Sequence, residues 1–294
     1  MSRRFDHRQF PVEDLLDRKG DTTVTVCIPA KDEAESVGAI VATIQRELVV
    51  EQPLIDELIV VDDRSSDGTG AVAAAAGARV VSTHDPFGDL VPGTGKGEAL
   101  WRGLAASHGD LVVYCDADIT DFGSRFIVGL VGPLLTEPTV QFVKGFYERP
   151  DGHAPGTGGR TTELVARPLI SLLFPSLTGI TQPLSGEYAG RRHVLEAVPF
   201  VQGYGVDIGL LIDIEQRWGS LAIAQVDLES RRHRNRSLDE LSPQALSIMQ
   251  TAFGRAGLQP GRPVVLERPG LAPLTMTHSE RPPLADIKAG RASA

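Results

Sequence analysis

The chain has 294 residues, 41% of them hydrophobic and 23% charged, with a formal net charge of -9 at pH 7. That length suits one large α/β unit or two joined halves around a substantial core, and the acidic balance argues against a nucleic-acid-binding surface while leaving room for a local basic pocket. No apolar run is long enough to span a bilayer, no signal-peptide pattern opens the chain, and two cysteines in apolar runs (Cys27 and Cys115) fit buried thiols, so the expectation is a cytoplasmic protein without nucleic-acid or membrane partners.

Residues 1–22 are polar and charged and read as a flexible arm, with a short helix around residues 12–18. A first strand is expected over residues 23–29. It is followed by Ala30-Lys31-Asp32-Glu33 and a helical pattern over 37–48, whose N-terminus the acidic residues favour. A second strand, 57–61, ends in the polar turn Asp62-Asp63-Arg64-Ser65-Ser66-Asp67-Gly68. An alanine-rich helix (69–76) and a third strand (78–82) come next. Strands alternating with helices predict a parallel sheet with right-handed crossovers, and the missing G-x-G-x-x-G after the first strand disfavours dinucleotide binding.

A Pro/Gly-rich loop leads to Gly93-Thr94-Gly95-Lys96-Gly97 and a helix to about residue 106. A lysine among glycines at a helix start is placed to meet phosphate, beside free amides and the positive dipole end; the plainer alternative is a solvent-facing loop lysine. The Walker A spacing fails, which argues against a P-loop ATPase. The run Leu111-Val112-Val113-Tyr114-Cys115 then ends in Asp116-Ala117-Asp118. At the C-terminal end of a central strand, two carboxylates one residue apart point to one face and can share a cation of the Mg²⁺ or Mn²⁺ type. Two solvated carboxylates in a turn remain the alternative.

Further on, a helix (127–135) and a strand (140–147) precede a Gly/Pro-rich loop over 148–159. This loop delivers Arg160, whose fork of donors suits a phosphate or carboxylate, or else a neighbouring acidic side chain. Helix 206–218 carries Asp207 in its first turn, where an aspartate ordinarily serves the helix dipole. A strand over 223–228 runs into the basic cluster Arg231-Arg232-His233-Arg234-Asn235-Arg236. This is either a solvated turn or an anion site with His233 available to a metal. A helix over 243–256 follows, and residues 261–294 read as a weakly ordered tail. The halves 23–135 and 136–260 are expected to bind a nucleotide-activated donor and an anionic acceptor respectively.

Taken in order, Pro29-Ala30-Lys31-Asp32-Glu33, Val60-Val61-Asp62-Asp63, Pro92 to Trp101, Asp116-Ala117-Asp118, Gly158 to Pro168, Gln182 to Ala189, Gly203 to Asp213 and His233 to Arg236 resemble the GT-A glycosyltransferases. Among these they are similar to the glucosyl-3-phosphoglycerate synthases of actinobacteria. The resemblance implies an α/β GT-A (Rossmann-like) fold, with a mostly parallel sheet flanked by helices. It implies a retaining, metal-dependent transfer of glucose from an NDP-glucose, UDP-glucose first and GDP-glucose second, to the 2-hydroxyl of 3-phosphoglycerate. By the same likeness Ala30, Glu33, Asp63, Lys96, Asp116 and Ala117 bind the donor. Asp116, Asp118 and His233 attend Mg²⁺ or Mn²⁺, while Gly159, Arg160, Thr162 and Asn235 hold the acceptor. Asp207 and Lys96 serve catalysis, and a homodimer is implied. Two departures stand out: Asp207 where the family pattern has Glu, and Asp63 where it often has Ser. These leave the nucleobase open, and a mannosyl or other hexosyl transfer, or a non-catalytic sugar-nucleotide binder, stay as alternatives.

Overall fold

In a computed structural model of the chain, the described residues are 3–85, 87–149, 159–232, 237–258 and 264–292. Among them eight strands form one sheet: β1 (Arg3–Asp6), β2 (Val24–Ala30), β3 (Glu57–Asp62), β4 (Arg79–Ser82), β5 (Leu111–Tyr114), β6 (Phe142–Glu148), β7 (Tyr188–Arg191) and, after a short β8 (Phe200–Val201) outside it, β9 (Ile223–Ser230). Their spatial order is β1-β9-β6-β7-β5-β2-β3-β4. All are parallel except β7, which runs antiparallel to both its neighbours, β5 and β6.

The sheet is buried on both faces, as continuous apolar runs require. Side chains of β2 alternate between two cores: Val24, Val26 and Ile28 enter one, Cys27 the other. Strand β5 does the same, with Leu111 and Val113 on the first side and Val112 and Tyr114 on the second. The first core is covered by α1 (Val12–Lys19), α2 (Val37–Ile44, continued with wider π-type turns through Gln45–Glu51) and α5 (Arg125–Thr136), with α3 (Thr69–Ala75) alongside α2 and α4 (Lys96–Ala106) on the opposite face. The second core takes Leu100, Trp101 and Leu104 of α4 and Leu169 and Ile170 of α6 (Arg167–Leu173). It also takes Val194 and Leu195 of α7 (Arg192–Glu196), Ile208, Leu211 and Ile212 of α8 (Val206–Trp218), and Ile248 and Ala252 of α9 (Leu238–Arg255). No helix among the described residues is long and apolar enough to cross a membrane.

Both chain ends differ from expectation. Residues 1–22 are not a loose arm in their described part: β1 lies parallel to β9, while Phe10 and Leu15 are buried with α5 in the first core. The four-residue strand is too short and too charged to announce itself by alternation. The described part of the segment 261–294, residues 264–292, is likewise built. Strands β10 (Val264–Leu266) and β11 (Leu274–Met276) pair, β12 (Glu280–Arg281) pairs with β8, and α10 (Leu284–Ala292) buries Leu284. Arg281 reaches buried Glu98 through two hydrogen bonds of 2.6 and 2.7 Å, and the Pro282 carbonyl accepts from the Trp101 indole at 3.0 Å. Ion pairs and backbone carbonyls hold this segment, and a hydrophobic rhythm shows neither. Helix α9 starts five residues earlier than predicted, at a capping box formed by Ser237 and Glu240.

Candidate active site

Because β2, β3 and β5 are parallel, their C-terminal ends share one edge of the sheet, the usual location of ligands in open α/β folds. The loops that leave them meet the N-termini of α4 and α8 around a cavity of about 1140 Å³. Ala30, Glu33, Asp63, Lys96, Asp116, Ala117, Asp118, Gly159, Arg160, Thr162 and Asp207 all line it. His233 and Asn235 lie outside the described residues.

At one end two polar loops are stapled together. The Asp32 amide donates to Ser65 Oγ at 3.0 Å, and Asp32 Oδ1 accepts from the Ser66 amide at 2.8 Å. The amides of Glu33 and Ala34 donate to Thr69 Oγ1 and Asp67 Oδ2. Asp32 sits at φ 55°, in the left-handed region that aspartate tolerates better than most residues. Ser36 Oγ donates to the Ala117 carbonyl at 2.6 Å and ties the D-x-D loop to the same floor. Asp63 is 4% exposed, and each of its oxygens has a partner: Oδ1 accepts from Arg64, and Oδ2 from the Gly95 amide at 3.3 Å.

At the centre, Lys96 is the first residue of α4. Gly95 before it has φ +83°, and a Cβ on Gly97 after it would overlap the Val201 carbonyl oxygen, so the glycines let this helix end approach β8. Lys96 Nζ lies 2.9 Å from Asp116 Oδ1 and 3.3 Å from Asp207 Oδ2. Burial works against its charge, but Asp116 and Asp207 outweigh that and hold the ammonium well above its usual range. It is therefore not a solvent-facing loop lysine. Asp116 and Asp118 follow β5 directly and converge on one point: Arg231 Nη2 lies 3.0 Å from Asp116 Oδ2 and 2.6 Å from Asp118 Oδ1. Arg231 Nε in turn lies 3.4 Å from Oε1 of fully buried Glu187. Burial pushes the Glu187 carboxyl up, against the pull of Arg231. Asp207 Oδ1 and the Tyr188 hydroxyl are both buried, and the Asp207 carboxylate adds to burial in holding the Tyr188 hydroxyl well above its usual range.

At the far end, Thr162 is buried where the π-type turn Thr162–Ala166 opens, with exposed Arg160 beside it and Gly159 facing the Arg149 guanidinium. The rings and charges of Tyr147, Arg149 and Arg231 stack here: both guanidiniums lie over the Tyr147 ring, and both donate to its hydroxyl.

The donor set fits a divalent cation. The two aspartates already aim oxygens at a single cationic group, and Mg²⁺ is commonly held by one or two carboxylates with the rest supplied by phosphate and water. Among the described residues no third acidic, histidine or cysteine ligand joins them. The sequence reading gives Glu187 and Lys144 no role and offers Arg231 only as part of a solvated turn or an anion site, whereas the structure sets Arg231 on two carboxylates. Arg231 was hidden in a basic run and Glu187 in a loop. Lys144 alone carried a signal, as a lysine two residues from Phe142 and two from Phe146 on one face of a strand.

A mostly parallel α/β sheet with paired carboxylates at a central strand end, facing a lysine at a helix start and a basic pocket, fits a sugar-nucleotide transferase. The family model for glycosyl transferase family 2 matches residues 25–198. The chain is 48% identical over 251 residues to the glucosyl-3-phosphoglycerate synthase of Mycolicibacterium smegmatis, covering 84% of this chain and 82% of that protein. The crystal structure of the Mycobacterium tuberculosis glucosyl-3-phosphoglycerate synthase with Mn²⁺, UDP-glucose and phosphoglyceric acid superposes with a TM-score of 0.89 at 42% identity, covering 97% of this chain and 99% of that one. The same enzyme with Mg²⁺ and UDP gives a TM-score of 0.88 at 41% identity, with the same coverage. The chain belongs to the glucosyl-3-phosphoglycerate synthase family of glycosyltransferases.

Proposed function

We propose that this chain transfers glucose from UDP-glucose, with retention at the anomeric carbon, to the 2-hydroxyl of 3-phosphoglycerate, using Mg²⁺ or Mn²⁺. The observation that carries this is a single cavity that joins a stapled polar floor, the Asp116–Asp118 pair and a guanidinium-lined far end. The relatives bind the same set: Mn²⁺, UDP-glucose and phosphoglyceric acid in one structure, Mg²⁺ and UDP in another.

Glu33, Ala30 and Asp63 would face the nucleoside, and Gly159, Arg160, Thr162 and Asn235 the acceptor. Asp118, His233 and Asp116 would hold the cation, which when bound supplies positive charge against the diphosphate as it leaves. Lys96 adds a fixed ammonium at the same place, already oriented by Asp116 and Asp207. Asp207 has one oxygen on Lys96, so its carboxylate is restrained beside the sugar rather than free to swing onto the anomeric carbon. That favours front-face transfer, in which the acceptor hydroxyl passes its proton to the departing diphosphate oxygen, and positioning carries the rate. A cytoplasmic setting suits two multiply charged substrates. A homodimer completes the proposal, on the strength of the resemblance.

The test is a turnover panel with Mg²⁺, crossing UDP- and GDP-linked glucose and mannose with 3-phosphoglycerate, glycerate and glycerol 3-phosphate. UDP-glucose with 3-phosphoglycerate should be the fastest pair, and the product should keep the donor's anomeric configuration by NMR coupling. No turnover with that pair, or an inverted product, rejects the proposal.

A further inference from the structure

Lys144 lies in the middle of β6 at 1% exposure, an expensive place for an ammonium group. Its Nζ donates to the Ser185 carbonyl at 2.6 Å and rests 4.6 Å from the centre of the Tyr188 ring. Burial lowers its pKa to about 8, with Asp207, Glu187 and Asp116 opposing the loss of charge and Lys96 assisting it. Two more bonds tie the same turn to β6: Ser185 Oγ donates to the Gly145 carbonyl at 2.7 Å, and the Gly145 amide donates to the Glu187 carbonyl at 2.8 Å.

This turn is the wall behind the D-x-D pair. A Cβ on Gly186 would overlap the Asp116 carboxylate, so the backbone there touches the back of Asp116 directly. The next residue, Glu187, anchors Arg231, which spans Asp116 and Asp118.

We propose that Lys144 is a positioning residue for the cation-and-diphosphate end of the site: by gripping the Ser185 carbonyl it sets the Ser185–Glu187 turn, and through Gly186 and Glu187 the aim of both aspartates. This rests on the assignment of Asp116 and Asp118 to the cation. Outer partners of cation ligands act in this way when they restrict where the ligand atoms point.

The test uses the full chain, Lys144→Met and Ser185→Ala. Calorimetry measures the Mn²⁺ concentration needed for half-maximal UDP binding, and thermal melts run alongside. Methionine fills a similar volume but leaves the Ser185 carbonyl without its donor, so Lys144→Met should stay folded and melt modestly below wild type. Its Mn²⁺ requirement should nevertheless rise by about tenfold to a hundredfold. Ser185→Ala should move the requirement in the same direction by less, and 3-phosphoglycerate binding without Mn²⁺ should stay unchanged in both.

An unchanged or lower Mn²⁺ requirement in Lys144→Met overturns the proposal, since merely deleting a positive charge near a cation site lowers it. If that variant does not fold, Lys144→Gln, whose shorter side chain cannot grip the Ser185 carbonyl from the same place, decides, and no shift there is equally fatal; Ser185→Ala keeps that carbonyl and reads only the tie to Gly145. A wild-type chain that binds Mn²⁺ with UDP yet fails to glucosylate 3-phosphoglycerate would sink the proposed reaction while leaving this comparison intact.

Discussion

Asp63 shows how one buried carboxylate can be spent before a ligand arrives. An aspartate near the nucleobase invites a role in choosing between uracil and guanine, since guanine offers more N–H donors to it. In the structure both of its oxygens already have partners, Oδ1 in Arg64 and Oδ2 in the Gly95 amide one residue before Lys96. Its effect should therefore fall on the loop that presents Lys96. We expect Asp63→Ser to lower kcat with both UDP-glucose and GDP-glucose and to leave their ratio unchanged within about threefold, a span well under 1.4 kcal/mol. Steady-state rates with the two donors check this, and a tenfold change in ratio would return the nucleobase role to Asp63.

At the scale of elements, α4 is the piece that the molecule works hardest to fix. Trp101, buried in the second core, has the guanidiniums of Arg102 and Arg281 over its ring, and buried Glu98 bonds to both arginines. Arg281 also donates to the Val91 carbonyl at 2.6 Å, so one residue of the C-terminal segment holds both the helix and the loop before it. Losing one partner of a buried ion pair leaves a charge without compensation, at a cost of about 3–5 kcal/mol. Arg281→Ala should therefore lose stability on that order in denaturant titrations. Turnover should also fall at temperatures where the variant is still folded, because Lys96 rides on this helix. A variant with normal stability would show that Arg102 alone satisfies Glu98.

For the molecule as a whole, the sheet has a sealed edge and an open one. The sealed edge is knitted by Glu57, which accepts from Thr25 Oγ1 at 2.7 Å, the His108 amide at 2.9 Å and Arg79 at 2.7 Å, joining β2, β3, β4 and the turn before β5. Burial favours the protonated acid, but the hydroxyl, amide and guanidinium prevail and pull Glu57 from 4.5 to about 2. A depressed carboxyl stabilises the fold above its unfolded pKa, and that contribution fades as pH drops through the folded value. The melting-temperature advantage of wild type over Glu57→Gln should thus be complete above pH 4.5 and vanish near pH 2. A difference that stays constant across that range would place the effect of Glu57 in packing rather than charge.

The alternation of apolar strands and helices, the parallel sheet it builds from β2, β3 and β5, and the polar loops at their C-terminal ends are all legible along the chain. Those signals are local: they depend on the period of the hydrophobic residues and on a motif such as Asp116-Ala117-Asp118 within one short stretch. Tertiary structure alone decided that β7, with Tyr188, Ala189, Gly190 and Arg191, enters the sheet antiparallel between β5 and β6, and that Arg3–Asp6 joins its edge. It also decided which charges meet. Lys96 finds Asp207 from 111 residues away, Arg231 finds Asp118 from 113, and Arg281 finds Glu98 from 183. A charged side chain carries no mark of its partner along the chain; only folding around a shared core brings the two within 3 or 4 Å, where low dielectric makes the pairing matter.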